Sequence, residues 1–142
     1  MPYYGTGSKE SIFANLDTVI SAVSGINHVD YQRNDVHGLK YENYPGTFIN
    51  DLGTSKVYLL QDIVKNEFAV GLILFVWADD GEDLMTVMNA FTESVKDAIM
   101  ADPTRGSKAY STRIDDELTD AGSNHPQAIV GLKITIIYYS SE

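Results

Sequence analysis

Cysteine is absent from all 142 residues. That excludes a disulfide framework and any thiolate metal site. It fits a chain made in a reducing compartment. Positive charge is scarce, since 10 Lys and Arg face 20 Asp and Glu, for a formal net charge of −10. A general nucleic-acid binder needs a basic footprint to displace counterions from phosphates. An acidic surface is also repelled by anionic lipid. Neither nucleic acid nor membrane is therefore an expected partner. Long apolar runs are missing too. The longest, Phe68 to Ala78, has 11 residues, against about 20 for a membrane-spanning helix. "MPYYGTGSKESIF" lacks a basic region followed by an apolar core and does not read as a secretory signal. A soluble protein is expected.

Recognisable chemistry is also missing. His28, His37 and His125 stand alone, with no second histidine at i+3 or i+4, so no zinc motif appears. There is no Gly-x-Ser-x-Gly elbow. Gly-Ser-Lys occurs at Gly7–Lys9 and Gly106–Lys108, but a phosphate loop needs a strand before it and a helix N-terminus after it. The first copy lacks the strand and the second precedes a strand. "DDGED" at Asp79–Asp83 lacks the alternating ligands and the distal glutamate of a calcium loop; acids there suit a helix N-terminus. "DDE" at Asp115–Glu117 reads as a solvated edge strand. No catalytic, cofactor or metal residue is assigned.

The patterns that are present suit one domain. Ile12, Leu16, Val19, Ile20 and Val23 form a helical stripe, with Ser8 as N-cap, Glu10 in the first turn and Gly25 as stop. "INHVDYQR" suggests a short strand, "NDVHGLKYENYPG" a loop, and "TFIND" and "KVYLLQDIV" two strand-like pieces with a turn at Asn66. "FAVGLILFVWA" is apolar on both alternating sets. It belongs in the middle of a sheet, covered on both faces or paired with a neighbouring subunit. Leu84, Met88, Phe91, Val95 and Ala98/Ile99 predict a second helix, with capping-box spacing from Asp79 to Glu82 and a stop at Pro103. "AYSTRIDDEL" and "AIVGLKITIIYY" predict two closing strands; Val130, Leu132, Ile134, Ile136 and Tyr138 share one face of the second. The order predicts an α+β domain over residues 1–142, a mostly antiparallel sheet with two main helices on one face.

Nine tyrosines are the surplus. Most, including Tyr3, Tyr4, Tyr41, Tyr44 and Tyr110, fall in predicted loops, short strands or chain ends. Tyrosine suits both protein interfaces and ordinary half-buried packing, and both readings stay open. Arg33, Arg105 and Arg113 could anchor an interface.

Several segments together resemble the tail terminator, or tail completion, proteins of long-tailed bacteriophages. "IFANLDTVISAVSGINHVDYQR" is similar to the family's opening helix, break and first strand, and "YPGTFIND" to its approach to the next strand. "NEFAVGLILFVWADD" with "EDLMTVMNAFTESVKDAIMADPTRGS" is similar to its long strand, second helix and turn, and "AIVGLKITIIYY" to its last strand. The resemblance runs from about Ser8 to Tyr139. It implies a structural virion protein and no enzyme: a homo-oligomeric ring, hexameric in the family, that caps the tail tube, stops its polymerisation and joins tail to head. It implies as partners the major tail tube protein and the head–tail connector, with DNA only passing through the ring. The protein would be made in the host cytoplasm and end in the virion neck. A ring needs two different patches meeting head to tail. The residues expected there are Tyr41, Tyr44, Phe48, Arg105, Tyr110, Arg113 and Asp115. A neighbouring neck, connector or minor tail protein and a tail assembly chaperone are the alternatives; a small ligand-binding domain or enzyme ranks below them.

Overall fold

A computed structural model describes residues 8–33, 38–60, 62–79, 82–120 and 126–141. Helix α1 (Lys9–Ser21) is followed by β1 (His28–Tyr31), a short 3-10 turn (Tyr41–Asn43), β2 (Gly46–Leu60) and β3 (Ile63–Trp77). Helix α2 (Leu84–Met100), β4 (Ser111–Thr119) and β5 (Gln127–Ser140) complete the chain. The five strands form one sheet in the order β1-β2-β3-β5-β4. Only the β1–β2 pair is parallel; the others are antiparallel. The α+β class and the two helices on a mostly antiparallel sheet are as the sequence predicts.

Both helices cover the same face. Ile12, Leu16 and Ile20 of α1 and Met88, Phe91, Val95 and Ile99 of α2 meet the alternate side chains of β3 and β5, from Phe68 to Val76 and from Val130 to Tyr138. Each fully buried aliphatic or aromatic side chain there contributes about 1.5–3 kcal/mol. Ser8 caps α1 as expected: its hydroxyl accepts the Ser11 N–H at 3.2 Å, and Ser11 Oγ accepts the Ser8 N–H at 2.8 Å. Gly25 lies three residues past the C-cap Ala22 and takes φ +85°, a conformation glycine adopts without steric cost.

Three local expectations are corrected. "TFIND" and "KVYLL" form one strand, because an extra residue at Leu52 is absorbed as a bulge, with Gly53 at φ +105°. The chain reverses after Leu60, beside Asp62 at φ +66°, and not at Asn66. Asn66 is buried inside β3, and its amide donates to Tyr138 O at 3.3 Å and Ser140 Oγ at 2.9 Å. Third, α2 is capped by Asp83, which accepts the Met85 N–H at 3.0 Å. The Asp79–Glu82 pair makes a turn ahead of it, with the Asp79 N–H donating to Glu82 Oε1 at 2.8 Å.

The opposite face of the sheet is covered only in part. Leu39 and Tyr44, from the loop before β2, pack with Phe48, Phe75, Ile73, Trp77 and Ile129 into a second, smaller core. Beyond it, among the described residues, the face is open, and β3 is covered fully on one side and partly on the other.

Candidate interaction surface

The chain after α2 contains the second Gly-Ser-Lys. Its geometry shows why it makes no phosphate cradle. The Asp102 carboxylate accepts the N–H groups of Thr104 at 3.0 Å and Gly106 at 2.8 Å, and the Thr104 hydroxyl at 2.6 Å. The amides that could hold an anion already hold one from the chain itself. Those bonds, the Thr104 hydroxyl foremost, keep the Asp102 carboxyl below its ordinary value. The turn is tight, with Arg105, Gly106 and Ser107 all at positive φ, +51°, +66° and +68°. The first copy includes Gly7, which lies outside the described residues, as do Tyr3, Tyr4, His37, Asp80, Gly81 and His125.

The seven residues expected at an interface fall into two groups. Tyr44 and Phe48 are buried in the small second core, their rings within 5.1 and 4.7 Å of the Phe75 ring. Arg105 is fully buried, and its Nη2 donates to the carbonyl oxygens of Ile99 and Asp102. It closes the C-terminal end of α2, where the last carbonyls lack helical partners. Burial lowers its pKa, with Asp102 opposing. The other four reach the surface. Tyr41 is half exposed; its hydroxyl donates to Asp79 at 2.7 Å and its ring meets Trp77 edge-on at 5.4 Å. Tyr110 is exposed and meets Tyr139 edge-on at 5.7 Å. Arg113 Nε donates to Asp115 Oδ1 at 2.6 Å, and its Nη2 lies 4.0 Å from Glu67.

A groove of about 710 Å³ runs between α1 and the β1–β2 edge, floored by Phe13, Ala14 and Phe68. Two pairs on its polar rim are closed internally. Lys9 Nζ lies 2.8 Å from Asp51, and the Tyr31 hydroxyl donates to Asp17 at 2.7 Å, which pushes the Tyr31 pKa up to about 12. No unpaired acid and base converge there. Among the described residues no group of three or more His, Asp and Glu could hold a metal ion, and no helix is long and apolar enough to cross a membrane.

The most exposed apolar surface was not anticipated. Beyond the four residues paired with β1, the outer half of β2 carries Leu52, Val57, Tyr58, Leu59 and Leu60, exposed by 44 to 75%. At the far edge of the sheet, Leu118 of β4 is 73% exposed. Neighbouring exposed apolar side chains on a strand edge mark an interaction surface. The sequence signal was the apolar "KVYLL", but its period is that of any strand; exposure came only with the sheet order.

No protein-family model matches this chain, and no curated protein matches its sequence. Its fold is similar to a solved structure, the PVC sheath/tube terminator of an extracellular contractile injection system in its extended state, determined by cryo-EM. The TM-score is 0.60 at 11% identity, and the likeness covers 97% of this chain and 58% of that one. This chain thus matches little more than half the length of that terminator. At such low identity the likeness establishes the fold.

Proposed function

We propose that this chain is a non-catalytic structural subunit at or near the end of a tail-type tube, in a phage tail or an injection apparatus of related build. The observation that carries the reading is the fold likeness to a sheath/tube terminator over 97% of the chain. Two features support it. Apolar side chains stand exposed along an outer strand, as a subunit that buries them against others requires. Lys9 with Asp51 and Tyr31 with Asp17, in the groove beside α1, are paired within the chain, which commits those four groups to structure.

The finer reading is a homo-oligomeric ring, with six the expected number, that caps the tube, halts its growth and offers a platform to the neck or connector. Its location would be the tail end of the particle after synthesis in the host cytoplasm. Purified chain added to polymerising tube subunits should shorten the tubes in proportion to its concentration. Tubes of unchanged length, with no chain bound to their ends, would contradict a capping role and favour a neck or connector part.

A further inference from the structure

Among the described residues the sheet has two open edges. On one side β1 covers only Gly46–Ile49 of β2. Among the described residues no strand pairs with the outer edge of the eight residues Gly53–Leu60. The break is built in. The Asp51 N–H donates to the Gln32 side chain at 2.6 Å, and the Gly53 N–H to Asp51 Oδ1 at 2.7 Å. On the other side β4, nine residues long, forms the far edge.

We infer that β4 of one copy adds to the outer half of β2 of the next, joining copies head to tail into one continuous sheet. This deepens the ring reading and rests on it for closure, not for the contact itself. Four observations carry it. Strand direction alternates from β2 through β3 and β5 to β4, so β4 beside a second copy's β2 is again antiparallel and keeps the helices on one face. The lengths agree, nine residues against eight. The outer half of β2 has no proline, and its protection against strand addition is limited to Lys56 and the register irregularity at Leu59.

The charges are also complementary. Facing Lys56 with Glu117, whose Oε1 also holds Lys96 Nζ of its own chain at 3.0 Å, puts two helix-side residues together, since Lys56 pairs with Asn66 and Glu117 with Leu132, both on the helix-covered face. In that register Asp116 falls beside Val57, whose other neighbour is Lys65. Leu118 falls opposite Ser55 and diagonal to Val57, close enough for the two apolar side chains to touch.

Two heterologous patches make a diagnostic prediction. Val57→Glu, which sets a like charge against Asp116, disables one edge and Leu118→Glu the other; both side chains are exposed, so each variant should fold as the parent does. In sedimentation velocity the parent should assemble beyond a dimer, and each variant alone should run as a 15.7 kDa monomer. A mixture of the two should give dimers and nothing larger, because one intact β4 and one intact β2 remain. In the cysteine-free background, Ser55→Cys mixed with Leu118→Cys should form a disulfide-linked heterodimer that neither forms alone. Antiparallel neighbours stand about 4.5–5.5 Å apart, within disulfide reach.

A monomeric parent, variants that still assemble, or a mixture that stays monomeric would overturn the inference. Edge-joined copies that leave tube growth untouched would instead sink the tube-end role alone. Capping rings that both glutamate variants still form would sink the edge pairing alone.

Discussion

Arg113 closes on Asp115 of its own strand, Nε to Oδ1 at 2.6 Å, with Glu67 farther off at 4.0 Å. The same carboxylate also accepts the Thr135 hydroxyl from β5. Thr135 first and Arg113 second hold the Asp115 carboxyl below its ordinary value. A carboxylate depressed in the folded state stabilises above its unfolded pKa, about 3.9, and that stability is lost as pH falls through the folded value. Thermal unfolding followed from pH 7 downward should therefore weaken from about pH 4. Asp115→Asn should be less stable at pH 7 and lose less on acidification. Asp30, Asp51 and Asp102 are depressed too, so the slope should shrink and not vanish. Parallel profiles for the two proteins would show that Asp115 carries no such linkage.

Arg105 makes a second prediction. Its side chain is fully buried, and its Nη2 satisfies carbonyls at the end of α2, while Nε and Nη1 have no partner. Arg105→Ala removes those donors and leaves a cavity, which should cost about 2–4 kcal/mol in urea unfolding. Arg105→Met keeps most of the volume and loses only the donors, so it should fall between the parent and the alanine variant. A methionine variant as stable as the parent would mean that burying the guanidinium costs as much as its hydrogen bonds return.

Gly46 is the tightest point of the sheet. A Cβ there would lie 2.4 Å from two ring carbons of the buried Phe75 and 2.8 Å from the His28 carbonyl oxygen, where β1 meets β2. Gly46→Ala should lower stability by about 1–3 kcal/mol through overpacking. Gly131→Ala is the control. Its Cβ meets nothing within 4 Å, and it should be neutral or slightly stabilising. Equal effects in chemical denaturation would contradict the packing described around Phe75.

What could be read in the sequence was what repeats. The α2 stripe from Leu84 to Ile99 and the alternation from Val130 to Tyr138 each answer to one buried face, so their periods were plain. Isolated polar residues misled, because turn formers can also serve inside a sheet. Asp51, Gly53 and Ser55 form a bulged strand, and Asn66 bridges β3 to β5. The candidate site was less legible still. Tyr44 and Arg105 sat in apparent loop or turn stretches and Phe48 in a short strand-like piece, yet the chain folds all three inward. Val57–Leu60 looked like any apolar strand. Burial is decided by which strand ends at an edge, and pairing order is a long-range property that no local period encodes.

The proposed place of this chain is the end of a tube. Gold-labelling an epitope-tagged copy in purified tail particles, viewed by electron microscopy, tests it most directly. A single cluster of label at one end of each particle is the predicted result. Label spread along the tube, or particles that contain none of the chain, would contradict it.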